Sequence, residues 1–158
     1  MTYEVDDDTV ARLRMTLGRI SRILDRQSAG AGLTKTQLSV LSSVARRGPI
    51  RAGDLAEIEG LNPTLLSRVI GKLCDAGLVR RRVDPDDARA WLIEMTAAGS
   101  KEHQRIRADR GRLLRSGLAS LEPSDAAQLR KALPALEELF EHMRDAEAGA
   151  GRRTRSRA

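Results

Sequence analysis

Hydroxyl and cationic side chains recur at helical spacing between residues 62 and 76. Thr64, Ser67 and Arg68 lie within about one turn of each other, and Lys72 follows one turn later. A guanidinium donates two parallel hydrogen bonds to a planar pair of acceptors such as guanine O6 and N7, whereas an ammonium is a point charge suited to phosphate. This pattern predicts a helix face that contacts bases and phosphates. Taken alone, it is also typical of an ordinary solvated helix.

A charged loop follows this segment. The runs LVRRRV and WLIEM partly alternate and flank DPDDARA, which begins with the turn-initiating pair Asp84-Pro85. We expect a β-hairpin with a long charged tip, with Arg82 on its first strand and Arg89 in the loop. Because phosphates would repel the aspartates, we expect one of them to accept hydrogen bonds from Arg89 or from backbone N–H groups. The alternative is that these charges only solubilise a turn.

Two short helices are needed to position these groups. The first covers about residues 51–59, and the second begins at Asn62, a favourable N-cap, followed by Pro63 at the first helical position. The inward side of the second helix is predicted to be apolar, with Leu65, Leu66, Val69, Ile70 and Leu73. Two helices, a tight turn and a hairpin predict a winged helix-turn-helix over residues 34–95, in a mainly α protein.

Helices with apolar stripes flank this central lobe. In residues 6–29, apolar side chains recur at steps of three and four and must be buried: Val10, Leu13, Leu17, Ile20 and Leu24. Thr34 and Gln37 have the spacing of a capping box for the next helix. The spacing in the first helix suits a helix–helix seam, so we expect it to take part in dimerisation.

The C-terminal part, residues 96–146, is predicted to form two further dimerisation helices. Thr96 caps the first and Pro123 starts the second, where Pro134 is expected to cause a kink or a break. Residues 149–158, with the sequence GAGRRTRSRA, offer nothing to bury and are expected to form a disordered basic tail. The predicted order is a compact central lobe between two dimerisation segments.

Composition narrows the classes of protein further. The chain has 158 residues, 28 Lys and Arg, a net charge of +6 and one cysteine. The excess of arginine favours a polyanionic partner, although an arginine-rich solvated surface would look the same. No apolar run approaches the roughly 20 residues of a membrane span, and the first ten residues lack the order of a secretion signal. We therefore expect a cytoplasmic protein with no membrane partner and no disulfide framework.

The central block resembles the MarR (multiple antibiotic resistance regulator) family of winged helix-turn-helix proteins. The resemblance rests on LAEIEGLNPTLLSRVIGKLCDAGLVRRRVDPDDARAWLIEMTAAG, above all on its end with Asp86, Arg89, Thr96 and Gly99. It implies a homodimer joined through the terminal helices, residues 62–76 in a DNA major groove, Arg89 near a minor groove, and Asp86 as the brace of the wing. The DNA-binding residues we predict are Thr64, Ser67, Arg68, Lys72, Arg89, Arg51 and Arg82.

Signals for other chemistry are weak. Cys74 lies late in the reading helix, where a packing role is favoured over a redox role. His103 and His142 are the only histidines and lack the paired spacing of a metal site, so neither a metal nor a cofactor is expected. No phosphate loop, nucleophile elbow or catalytic pairing is present in the sequence, which argues against an enzyme. The resemblance implies a small effector, whose binding residues the sequence does not identify.

The sequence thus predicts a sequence-specific transcriptional regulator, a repressor that binds a palindromic operator as a homodimer and is released by a small ligand. One alternative is an architectural protein that binds double-stranded DNA without regard to sequence. Another is a winged-helix module that binds protein. The first alternative predicts equal affinity for any duplex, and the second predicts that Arg68 plays no part in base discrimination.

Overall fold

The computed structural model describes the backbone of residues 5–29, 32–87 and 89–155, with side chains described over 5–26, 32–87 and 89–146. The described ranges form six helices and three strands. They are α1 (Asp7–Ala29), α2 (Lys35–Arg47), β1 (Ile50–Arg51), α3 (Ala52–Glu59), α4 (Pro63–Asp75), β2 (Val79–Val83), β3 (Trp91–Met95), α5 (Ala97–Ala119) and α6 (Pro123–Arg155). None of the described helices combines the length and apolar character needed to cross a membrane.

The chain divides into two compact units, residues 1–113 and 114–158. The first unit contains the central lobe, in which α2, α3 and α4 pack with the sheet around one core. Its fully buried side chains include Leu41 of α2, Leu55 of α3, Leu73 of α4 and Ile93 of β3. These residues come from every layer of the lobe, so burial of their apolar surface fixes the orientation of α4 relative to the sheet.

The helix starts follow from local hydrogen bonds. Thr34 and Gln37 form the predicted capping box, in which the Gln37 N–H donates to Thr34 Oγ1 and the Thr34 N–H donates to Gln37 Oε1. Asn62 Oδ1 accepts from the backbone N–H of Leu65 at 2.8 Å, which confirms Asn62 as the N-cap of α4. Gly60 adopts a left-handed conformation with φ 61°, and this allows the tight turn between α3 and α4.

The hairpin predicted from LVRRRV and WLIEM is present, and a third strand joins it. All pairings are antiparallel in the order β1-β3-β2, and the two-residue strand β1 was not predicted. In the hairpin, Val79 pairs with Met95 at the body of the protein and Val83 pairs with Trp91 at the outer end. Strand β1 directly precedes α3 and pairs with β3 of the wing. It therefore joins the helix-turn-helix to the hairpin.

The start of α5 is packed tightly against the start of β2. Thr96 caps α5 as predicted, because its Oγ1 accepts from the Gly99 N–H at 2.9 Å and also donates to the carbonyl of Gly77 at 2.6 Å. A Cβ atom at Gly99 would lie 1.9 Å from the carbonyl oxygen of Leu78. Only glycine fits at this position, which explains why residue 99, at the end of the central block, is a glycine.

One prediction about burial was wrong, and a second concerns a surface that the single chain does not cover. Leu65 was expected on the inward side of α4, but it is 42% exposed because the core contacts of this helix centre on Leu66, Val69, Ile70 and Leu73. The stripe of α1 was expected to be buried, yet Val10, Leu13, Leu17 and Ile20 are each at least 39% exposed. Within a single chain this stripe is left open to solvent.

Two predictions about the C-terminal unit also differ from the structure. The helix α6 runs without interruption through Pro134, because the neighbouring alanine, leucine and glutamate residues favour helix on both sides. It continues to Arg155, although residues 149–158 were expected to be disordered. Residues 156–158 of that tail lie outside the described residues.

Candidate nucleic-acid interface

The outer face of α4 carries the polar residues that the spacing singled out. Leu66, Val69, Ile70 and Leu73 are buried in the core, whereas Thr64, Ser67, Arg68 and Lys72 are all exposed. The arrangement predicted for these four side chains is therefore confirmed in its geometry. Thr64, Ser67 and Arg68 lie in the first half of the helix, which is the end that a reading helix presents to base edges.

The two cations of this face have no side-chain partner among the described residues. In the described part of the chain, neither Arg68 nor Lys72 forms an ion pair or a side-chain hydrogen bond. Their donors therefore remain available to an external acceptor such as a phosphate or a guanine edge. A guanidinium and an ammonium one helical turn apart offer two different kinds of contact from one surface.

The wing loop between β2 and β3 is internally braced. Asp84 is only 4% exposed, and its carboxylate accepts from the Asp86 backbone N–H at 3.0 Å and from Arg51 Nε at 2.6 Å. The Asp84 N–H donates to the Ala90 carbonyl at 3.0 Å, which closes the loop. The hydrogen bond from Asp86 and the one from Arg51 hold the pKa of Asp84 below its usual value, against the opposing effect of burial.

The brace differs from the prediction that named Asp86. The carboxylate of Asp86 is exposed and accepts no hydrogen bond within the described ranges, and only its backbone N–H takes part. Asp84 has the bracing role because it directly follows strand β2 and lies within hydrogen-bonding reach of Arg51. A second aspartate, Asp87, accepts from the Arg89 backbone N–H at 3.0 Å. Arg89 itself is exposed on the loop, as expected.

Arg51 and Arg82 were both predicted to contact DNA, and both have acidic neighbours. Arg51 pairs with Asp84 but keeps a half-exposed side chain. Arg82 lies 3.8 Å from Glu94, which is held mainly by Arg80 through two hydrogen bonds of 3.1 Å. The hydrogen bonds from Arg80 lower the pKa of Glu94. Both predicted residues remain solvent-accessible, although each is less free than Arg68.

A cleft of about 510 Å³ lies in the same unit, between α1, α2 and α5. In its lining, Asp25 accepts from Lys35 Nζ at 2.7 Å and from Arg110 Nη2 at 3.1 Å. Leu33 and Leu38 supply apolar walls, and Arg22, Arg26 and Thr34 complete the lining. The cleft thus combines several cations and one carboxylate with apolar surface, a set that sequence reasoning did not identify because its members come from three separate elements.

The remaining candidates have ordinary surroundings. Cys74 is partly buried and packs against the core, in agreement with the packing role expected for it. His103 is partly buried, and burial together with the charges of Arg107 and Arg46 lowers its pKa.

Comparison with known proteins agrees with this geometry. A sequence model of the MarR family matches residues 33–91, which run from the residue before the Thr34 cap of α2, through α3, α4 and β2, to the first residue of β3. An HTH-type transcriptional regulator from Mycobacterium bovis is 33% identical over 129 residues, covering 79% of this chain and 90% of the regulator. The chain belongs to the MarR family. It is a MarR-family transcriptional regulator with a DNA-binding fold, and its relatives are regulators, not enzymes.

Solved structures of the MarR fold superpose on most of the chain. RV1404 from Mycobacterium tuberculosis has a TM-score of 0.78 at 23% identity, covering 88% of this chain and 97% of that one. A mutant of MepR from S. aureus, bound to an oligodeoxyribonucleotide, has a TM-score of 0.65 at 17% identity, covering 87% and 99%. At these identities the similarity shows the fold.

Proposed function

We propose that this MarR-family protein is a repressor that binds a palindromic operator as a homodimer and leaves it when a small ligand binds. The observation that carries the proposal is the outward presentation of Thr64, Ser67 and Arg68 on the first half of a helix whose opposite side is buried. A helix anchored in this way projects as a rigid unit, and a major groove admits a helix of this size.

Each predicted DNA contact has a separate role in the proposal. Arg68 binds a guanine through O6 and N7, Thr64 and Ser67 contact bases or phosphates, and Lys72 holds a phosphate. Arg89 enters the adjacent minor groove, with Arg51 and Arg82 contacting the backbone beside the wing. The MepR variant, which shares the fold, was solved bound to an oligodeoxyribonucleotide, and this supports DNA as the partner.

Dimerisation is supported by apolar surface that the single chain leaves uncovered. The stripe of α1 is exposed, and in the other unit Leu133, Phe140 and Met143 of α6 are each more than half exposed. Monomeric soluble proteins rarely leave long apolar stripes open to water. We assign dimerisation to residues 6–29 and 96–146, which would set two reading helices roughly 34–36 Å apart on successive turns of a palindrome.

The cleft around Asp25 is the best-supported effector site. An anionic ligand with an apolar body would compete with Asp25 for Lys35 and Arg110 while its body packs on Leu33 and Leu38. Such a ligand releases DNA only if it binds the unbound conformation more tightly than the DNA-bound one. Lys35 begins α2, and α2 packs in the core of the reading lobe. A ligand that displaces Asp25 from Lys35 would therefore shift the start of α2 and, with it, the reading lobe.

Selection of bound fragments from a whole-genome DNA library tests the proposal. A regulator recovers a palindromic sequence and prefers it over random duplex by roughly 10³-fold or more. Equal affinity for all fragments would instead identify the sequence-independent architectural protein. Salt dependence alone does not separate the two, because both lose affinity as salt rises.

A further inference from the structure

The outer end of the hairpin carries an apolar pair that the fold leaves uncovered. Val83 and Trp91 face each other across β2 and β3, and they are 45% and 50% exposed. An aromatic and a β-branched residue in register stabilise a hairpin by mutual contact. About half of the surface of Trp91 nevertheless remains open to solvent.

The pair lies on the side of the sheet that faces α4. Side chains alternate along a strand, so Val79, Arg81 and Val83 share one face, and their partners Met95, Ile93 and Trp91 share it too. Val79 and Ile93 are buried in the core that also contains Ile70 and Leu73 of α4. The pair therefore continues the inner face of the sheet beyond the edge of the core.

This placement determines what the pair meets when DNA binds as proposed. If α4 occupies a major groove and Arg89 an adjacent minor groove, the protein must straddle the sugar–phosphate ridge that separates the two grooves. The inner face of the wing is the side turned towards that ridge. We propose that Trp91, supported by Val83, packs against deoxyribose on this ridge; the inference rests on the proposed function.

The charges around the pair fit a sugar–phosphate backbone. Arg81 lies on the same face as Trp91, is exposed, and has no acidic partner among the residues described. On the opposite face, Arg80 is held by Glu94 through two hydrogen bonds. Deoxyribose is apolar and its phosphates are anionic, so a small apolar patch beside a free guanidinium matches both. Two residues are too few for a stable protein interface, which buries roughly 800 Å² per partner.

The chain contains one tryptophan, so its emission reports this site alone. The probe is the duplex recovered by genomic selection, and binding is measured independently by anisotropy of a label on the DNA. We expect the emission maximum to move to shorter wavelength and quenching by acrylamide to fall when the duplex saturates the protein. Unchanged emission and quenching in the saturated complex would overturn the assignment of Trp91 while leaving the proposed function intact.

Substitutions separate the apolar interaction from the charged one. Trp91→Ala is expected to weaken binding by about tenfold because the sugar is no longer covered by the indole, with an unchanged slope of log affinity against log salt. Trp91→Phe keeps a planar ring and should restore most of the affinity. Arg81→Ala should instead reduce that slope by about 0.9 for each phosphate that the protein no longer neutralises. Equal affinity of the Ala and Phe variants would contradict the proposal, provided that both unfold at the wild-type temperature.

Two further outcomes are decisive. Emission that changes with protein concentration in the absence of DNA would show that a second copy of the chain covers the pair, which overturns the deoxyribose assignment. Failure to recover any preferred duplex would overturn the proposed function, and the role of Trp91 with it. Should Trp91→Ala fail to fold, the emission and quenching of the wild-type protein decide the question alone.

Discussion

Arg51 and Asp84 form an ion pair of 2.6 Å that links the N-cap of α3 to the first residue of the wing loop. This pair explains how an acidic loop is compatible with a polyanionic partner. The carboxylate of Asp84 is turned inward and compensated by the guanidinium, while Arg89 remains outward. The same ion pair fixes the wing relative to the helix-turn-helix, so both reach DNA with one relative geometry.

Asp84→Asn should weaken operator binding by about tenfold, the equivalent of one hydrogen-bonded charge interaction. The neutral amide keeps the shape of the side chain but removes the ion pair with Arg51, and the wing is then held less firmly. Asp86→Asn is the matched control, because the same change falls two residues away on an exposed carboxylate. Titration of labelled operator measures both. Equal effects of the two variants would show that Asp84 is not the brace.

The contribution of Asp84 to stability depends on pH in a defined direction. Its folded-state pKa lies below the usual value, so its stabilisation is present above about pH 4 and is lost as the pH falls through the folded-state pKa. The free energy of unfolding of the wild type should therefore exceed that of Asp84→Asn at neutral pH, and the difference should shrink below about pH 4. Urea unfolding from neutral pH down to the acid limit of folding measures it. A difference that stays constant into acid would contradict the assignment.

Gly99→Ala should destabilise the protein by about 1–3 kcal/mol, because the added methyl group would overlap the carbonyl oxygen of Leu78 and force backbone shifts. Gly111→Ala is the control in the same helix. A Cβ at that position meets nothing within 4 Å, and alanine favours helix over glycine by about 1 kcal/mol, so this variant should be neutral or more stable. Urea unfolding at neutral pH compares them. Similar effects would exclude a packing role for Gly99.

Leu17→Glu should convert the proposed dimer into monomers and abolish tight operator binding, because it places a charge in the exposed stripe of α1. Arg19→Glu introduces the same carboxylate about 200° around the helix, away from the stripe, and should leave the dimer intact. Sedimentation equilibrium measures the mass of each. A wild-type monomer, or a dimeric Leu17→Glu variant, would refute the assignment of α1 to the interface.

Local features of this fold could be read from the sequence, whereas features that join distant segments could not. The Thr34–Gln37 capping box and the Asn62 cap depend on residues three positions apart, and both were predicted correctly. The brace of the wing depends on a hydrogen bond between residues 33 positions apart, so the choice among three aspartates could not be made from spacing.

The same reasoning accounts for the misplaced Leu65 and the missed strand β1. Leu65 is next to Leu66, and helical periodicity alone does not show where the edge of the core falls. The strand β1 has two residues, too few to give an alternating pattern. The stripe of α1 was recognised correctly as apolar, its side chains are exposed in the single chain, and its assignment to dimerisation stays a prediction.

The central claim is that Arg68 reads a guanine in the major groove. The most direct test replaces each operator guanine in turn by 7-deazaguanine, which lacks the N7 acceptor, and measures binding by the wild type, Arg68→Ala and Lys72→Ala. At one position per half-site, we expect the substitution to weaken binding of the wild type by about 1–3 kcal/mol. Lys72→Ala should lose the same amount at that position, whereas binding of Arg68→Ala should not change there. If no position affects the wild type, or if Arg68→Ala remains equally sensitive, α4 does not read DNA through Arg68.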